Sequence, residues 1–199
     1  MKILTVPNSL LRQKSKPIEK IDKKIVGLIK NMSQALNSAR NPEGGALAAP
    51  QIGKLIRLFI IDFDKLVSGP KNPKTSSHKK LVAFINPKIT HYSKETLSNI
   101  VPKEKRYLEG CLSVPNFYGF INRPYKIIVC YQTLTNPCDP QTKTQKTENF
   151  EGLEATFIQH EYDHLDGILF TDHVLAQKGT LYELRKGKEG KEEFVEVRL

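Results

Sequence analysis

One segment constrains this chain more than any other. Gly152 to Asp166 (GLEATFIQHEYDHLD) has the length and residue types of a helix, and Leu153, Phe157, Ile158 and Leu165 make it largely apolar. Within it stand His160, Glu161 and His164. Residues four apart share a helix face, so both imidazoles can reach one point, with Glu161 about 100° around the axis from His160. His-Glu-x-x-His is a metal-binding pattern: two imidazoles hold an ion and the carboxylate beside them acts on a water there. The plainer alternative is a helix with two capping or core histidines. A buried apolar helix that presents three such groups needs a reason for them, because unpaired polar groups are costly to bury.

The rest of the chain supplies a scaffold for that helix. Asp22 can cap a helix running to about Ser38, in which Ile25, Ile29, Met32 and Leu36 form one apolar stripe, with Asn41-Pro42 ending it. Pro7 to Pro17 reads as an extended lead-in. Leu55 to Phe63 (LIRLFIIDF) reads as a buried strand, and Leu81–Ile89 and Lys126–Thr133 are further strands. Tyr125, Ile127, Val129 and Tyr131 would share one face of the last. Ser68 to Lys80 reads as a loop and Asn136 to Asn149 as a polar turn region. Leu181–Arg185 and Phe194–Val197 flank a Gly/Lys/Glu turn, which suggests a terminal hairpin. Strands and helices mix without regular alternation. The fold expected is therefore α+β, with mostly antiparallel or mixed sheets packed around the buried helix, plus the N-terminal helix. The length of 199 residues fits a single catalytic domain over 1–199, with 178–199 as a hairpin extension.

Two histidines leave a metal site incomplete, and a third protein ligand is expected. Proteases with this motif take it downstream. One such class places a third His where Phe170 stands here, and His173 comes three residues too late for that spacing. A downstream Glu such as Glu183 would sit beyond the helix in a strand. The other source is cysteine. Cys130 lies in a strand pattern and Cys138 in a Pro-flanked turn, settings of ordinary small residues. Cys111 sits in Glu109-Gly110-Cys111-Leu112-Ser113, a turn-like stretch that sets backbone N–H groups beside a thiol, and a thiolate is stabilised next to a divalent ion.

Three cysteines and no apolar leader point to a reducing compartment and away from a disulfide framework. No apolar run approaches the length of a membrane span. The net charge is +10, from 31 Lys+Arg against 21 Asp+Glu. The excess sits in residues 1–40 and 65–106, while 107–199 is net acidic. No aromatic-interleaved basic motif accompanies it, so a solvated lysine-rich surface is favoured over specific nucleic-acid binding.

Glu109–Ser113 (EGCLS) together with Gln159–Gly167 (QHEYDHLDG) closely resembles the peptide deformylases. The family's third motif, G-x-G-L-A-A-x-Q, has its counterpart in Gly44-Gly45-Ala46-Leu47-Ala48-Ala49-Pro50-Gln51. All three motifs occur in the family's order, and the resemblance covers roughly residues 4–175. It implies Cys111, His160 and His164 as metal ligands and Glu161 as general acid/base. It implies Gln51 and the backbone N–H of Leu112 as stabilisers of the developing oxyanion, with Gly45, Ala46, Leu47 and Gly110 beside the substrate. The reaction implied is removal of the formyl group from formyl-methionyl nascent peptides, releasing formate. The ion implied is ferrous iron, with zinc, nickel or cobalt as substitutes. Cytoplasmic location and transient contact with the ribosome follow from the same resemblance and from the basic surface.

Ala46 stands where the family motif has its second glycine. A methyl there could crowd a bound peptide or forbid a left-handed backbone, so altered peptide preference is expected. Glu109 and Arg123 flank the Cys111 segment and could pair as ions to hold it. Two other functions compete: a zinc endopeptidase, which Cys111 and the missing third His argue against, and a basic binder with a structural metal. A structural site normally shows four protein ligands, and no fourth partner is evident.

Overall fold

The structure is a computed structural model that describes residues 1–39, 44–66, 81–136, 139–186 and 192–197. In chain order the elements are helix α1 (Lys23–Ser38), strands β1 (Ala46–Ala48) and β2 (Leu58–Asp62), the single turn α2 (Phe63–Leu66), β3 (Leu81–Tyr92), the turn α3 (Leu97–Ile100), β4 (Glu109–Cys111), β5 (Val114–Gly119), β6 (Lys126–Leu134), β7 (Lys143–Glu151), helices α4 (Gly152–Leu165) and α5 (Phe170–Ala176), and strands β8 (Leu181–Lys186) and β9 (Glu192–Val197). They form an α+β fold with two sheets. One has the order β1-β2-β3-β6-β7 and the other β4-β5-β8-β9. Every pairing between named strands is antiparallel.

The five-stranded sheet lies between two helices, and strand alternation distributes its residues. Leu58 and Ile60 face the cluster that holds Ile29, Met32 and Leu36 of α1. Phe59 and Ile61 face the cluster that holds Ala155, Ile158 and Leu165 of α4. Burial on both faces explains why this run is apolar without alternation. Phe84 anchors the α4 side, with its ring 4.7 Å from Phe59 and 4.2 Å from Tyr131. Burying one such side chain contributes about 1.5–3 kcal/mol. A third cluster joins the small sheet to α5 through Val114, Leu169, Phe170, Val174 and Leu181.

Asp22 caps α1 as expected, its carboxylate accepting from the N–H groups of Lys24 and Ile25. Ile29, Met32 and Leu36 are fully buried. Ile127, Val129 and Tyr131 share the buried face of β6.

Four expectations change. The lead-in contains a short 3₁₀ turn, Ser9–Arg12, capped by the Asn8 side chain. The stretch read as polar turn residues contains β7, which pairs with β6 along its whole length. Its sequence is polar because it is an edge strand that buries only Phe150. The Cys111 segment is a tight hairpin of β4 and β5, in which only Leu112 and Ser113 turn. β3 extends to Tyr92 and carries two register shifts. Asn41-Pro42, Ser68–Lys80, Cys138 and the turn between β8 and β9 lie outside the described residues. Among the described residues, no helix is long and apolar enough to cross a membrane.

Candidate active site

β4, the turn after β1 and helix α4 meet at one cleft. Gly152, at φ +59°, donates its N–H to the Tyr125 carbonyl and turns the chain from β7 into α4. From there the helix carries His160, Glu161 and His164 inward, and all three are buried. β4 brings Glu109, Gly110 and Cys111 alongside. The ligand-capable atoms of Cys111, His160 and His164 lie within 4.8 Å of one another. Cys111 Sγ is 3.2 Å from His164 Nε2. Burial alone would raise the Cys111 thiol, but His164 and His160 beside it hold it well below its ordinary value.

His160 is fixed from behind. Its Nδ1 lies 2.9 Å from Glu109 Oε2 and donates to that carboxylate, which turns Nε2 away from Glu109 and toward the Cys111 sulfur. Glu109 in turn accepts from Arg123 twice, at 2.5 Å and 2.9 Å, so the suspected ion pair is present and bidentate. Arg123 also donates to Asp163 at 2.9 Å, and Asp163 accepts from His173 Nε2 at 2.8 Å. His173, out of place for the protease spacing, belongs to this network. Burial would raise the Glu109 carboxyl, but Arg123 and the His160 hydrogen bond hold it below the usual range. Burial likewise opposes ionised Asp163, and the His173 hydrogen bond and Arg123 hold it low.

Glu161 differs from these carboxylates. Burial pushes its carboxyl up to about 7, and its Oε2 has no hydrogen-bond partner. Gln51 is buried with its amide orientation fixed: Oε1 accepts from Ala48 N–H at 2.8 Å, and Nε2 donates to Ser113 Oγ at 3.1 Å and Cys111 Sγ at 3.4 Å. Ser113 N–H also points at the Cys111 sulfur, 3.4 Å away.

The cleft above these groups is lined by Gly45, Ala46, Gly110, Leu112 and, unforeseen from sequence, Tyr107, Tyr118 and Phe157. Leu47 does not line it. Strand alternation turns its side chain into the α1 cluster, where it is fully buried. Ala46 is not among the residues at positive φ, so its methyl imposes no backbone strain. Tyr107 and Phe157 could have been suspected only as apolar neighbours of the motifs, since ring contacts between segments leave no local pattern. Cys130 accepts from Gln145 at 3.3 Å, and Glu183 pairs with Arg185.

Comparison with known proteins gives a concordant picture. The family model described as polypeptide deformylase matches residues 1–179. The peptide deformylase of Prochlorococcus marinus is 37% identical over 186 residues, covering 94% of this chain and 78% of that protein. That of Brucella suis is 36% identical over 176 residues, covering 88% and 85%. The crystal structure of a probable peptide deformylase from Synechococcus phage S-SSM7 matches with a TM-score of 0.67 and 34% identity, covering 87% of this chain and 99% of that one. A peptide deformylase from Synechococcus elongatus in complex with actinonin matches with a TM-score of 0.66 and 30% identity, covering 87% and 78%.

Proposed function

The chain belongs to the polypeptide deformylase family, and from that premise we propose how its cleft hydrolyses the N-terminal formyl group of formyl-methionyl peptides. Cys111, His160 and His164 hold one divalent metal ion. The donor set fits such an ion: one sulfur held toward its thiolate, one imidazole whose Nδ1 is occupied by Glu109, and a second imidazole whose Nε2 faces the sulfur. Bound there, the ion supplies the positive charge that makes a water nucleophilic near neutral pH. We assign it as ferrous iron, with zinc, nickel or cobalt compatible with the same ligands.

Glu161 moves the proton. Its unpaired oxygen takes a proton from the attacking water and delivers it to the nitrogen of the breaking formyl C–N bond. The carbon gains the water's oxygen, and formate and the peptide's free α-amine leave. Gln51 Nε2, releasing its long hydrogen bond to the Cys111 sulfur, and the Leu112 N–H donate to the carbonyl oxygen as it gains charge, and a single donor of this kind is typically worth about 10²–10³ in rate. β1 is an edge strand of its sheet. The substrate main chain runs along it beside Gly45, Ala46 and the backbone of Leu47, across from Gly110.

The observation that supports this assignment most is the convergence of the three ligand atoms within 4.8 Å beside a buried, unpaired Glu161. A thiolate ligand calls for a reducing compartment, and the cytoplasm meets that need. The basic excess of residues 1–40 and 65–106 suits transient contact with ribosomal RNA.

The test is formate release from a formyl-Met peptide by protein purified without oxygen, with metal content measured on the same sample. Native protein should release formate and carry about one equivalent of metal. Cys111→Ser should lose both. Native protein inactive with ferrous, nickel and zinc ions alike would overturn the assignment.

A further inference from the structure

β8 and β9 lie beyond residues 1–179, the segment matched by the family model, yet they reach the cleft. β8 pairs with β5 through Tyr182 opposite Tyr118, and β9 pairs with β8 through Glu196 opposite Tyr182. Phe194, two residues before Glu196, is thus a diagonal neighbour of Tyr182. Its ring lies 6.4 Å from that of Tyr182 and 5.3 Å from that of Tyr118, edge-on at 83°. Tyr118 is the cleft-lining member of the three. It also stands opposite Gly110 in the β4–β5 ladder, one residue from Cys111. Its ring covers Gly110 so closely that a Cβ there would lie 2.6 Å from it.

We propose that Phe194 is a positioning residue for this reaction: from the C-terminal hairpin it holds the Tyr118 ring over Gly110, and so shapes the cleft wall against the peptide residues that follow the formylated one. The inference rests on the deformylase assignment of the cleft. Three observations carry it. Tyr118 is only partly buried and lines the cleft, so one side of its ring is open to a bound peptide and the ring of Phe194 packs against it. The edge-on contact is the favourable geometry for two aromatic rings, and it is supplied by Phe194. Phe194 itself is 52% exposed, an unusual position for a phenylalanine that serves only the core. Burial, and after it the Glu192 carboxylate at the start of β9, push the Tyr118 phenol up, so it presents a neutral ring and an O–H donor near neutral pH.

The role predicts a split between substrates of different length. The experiment compares the full-length enzyme and its variants on formyl-Met-amide, which ends at the first residue, and on a formyl-Met tetrapeptide with apolar following residues. Phe194→Ala should raise KM for the tetrapeptide about three- to tenfold and leave kcat within about twofold, with both constants for formyl-Met-amide nearly unchanged. Phe194→Tyr keeps the ring and should restore the tetrapeptide KM. Tyr118→Ala and the Tyr118→Ala/Phe194→Ala pair should give the same tetrapeptide KM, because one residue acts through the other. Carbon-13-labelled tyrosine NMR reads the contact without turnover, and the Tyr118 ring resonances should move in Phe194→Ala.

Equal KM changes for both substrates, additive effects of the two substitutions, or unmoved Tyr118 resonances would each overturn the positioning role while leaving the deformylase assignment intact. No formate from either substrate with native enzyme would overturn that assignment and this role with it. Should Phe194→Ala fail to fold, Phe194→Leu removes the edge-on ring while keeping apolar bulk, and the same KM split applies to it.

Discussion

At the floor of the cleft, Glu109, Arg123, Asp163 and His160 are joined by charged hydrogen bonds of 2.5–2.9 Å, and no side chain among them is more than 17% exposed. At the mouth, ring contacts do the joining: Tyr107 against Phe157 at 5.4 Å and Tyr118 against Phe194 at 5.3 Å, with Tyr107 and Phe194 about half exposed. The floor uses directional bonds that are strong where water is excluded, so it holds the His160 ring in one orientation. The mouth uses dispersion and quadrupole contacts, which are individually small and tolerate rotation of a ring. Substitutions at the floor should therefore change chemistry and stability, and substitutions at the mouth should change which peptide binds.

The largest effect expected is that of Glu161→Gln, which keeps the shape and removes the proton acceptor. Its kcat should fall about 10²–10⁴-fold with metal content retained. Steady-state formate release with metal analysis checks this, and a variant that lost metal instead would move Glu161 from proton transfer to the support of the ligand set.

Next comes Arg123→Met, which leaves Glu109 and Asp163 buried without their shared cation. Removing one partner of a buried pair costs about 3–5 kcal/mol, to be read from urea unfolding near pH 7. The pH dependence sharpens the comparison. Glu109 and Asp163 hold protons more weakly folded than unfolded, so their stabilisation is complete above the ordinary carboxylate range near pH 4. As pH falls through that range the unfolded chain takes up protons first, and the stabilisation is lost toward the depressed folded values. The gap between native protein and Arg123→Met should then narrow between about pH 5 and pH 2. A gap of constant size would mean that Arg123 contributes by packing its stem rather than by its charge.

The smallest effect expected is that of Ala46→Gly at the mouth. Ala46 is buried, pairs with Ile61 and has ordinary backbone geometry, so restoring glycine relieves no strain. The variant should lose about 0.5–1 kcal/mol of stability. Its KM for formyl-Met peptides should change by less than about tenfold, with kcat nearly fixed. Unchanged KM and kcat would remove Ala46 from peptide selection.

The α1 stripe and the α4 motif were legible because each is a periodic pattern within a few turns, and the strand read over Leu55–Phe63 because it is a short continuous run of β-branched and aromatic residues, of which Leu58–Asp62 form β2. β7 was not, since Lys143–Glu151 offers no apolar alternation and takes its strand geometry from hydrogen bonds to β6. The Cys111 hairpin read as a turn because strands as short as β4 carry too few residues to show a period. The Glu109–Arg123 pair could be suspected from its place around the Cys111 segment. Its extension to Asp163 and His173, and the ring contacts of Tyr107 and Phe194, join residues that carry no common signal in sequence.

The sequence by itself determined the local chemistry: a helix with two imidazoles and a carboxylate on neighbouring faces, a thiol in a short Gly-Cys segment, and the apolar runs that must bury around them. Backbone periodicity fixes such relations, because residues one or four apart on a helix have nowhere else to go. Tertiary structure decided which distant groups meet. It set Cys111 3.2 Å from His164, Arg123 between Glu109 and Asp163, and Phe194 on Tyr118. Those meetings depend on how two sheets pack against α4, and packing is a property of the whole core.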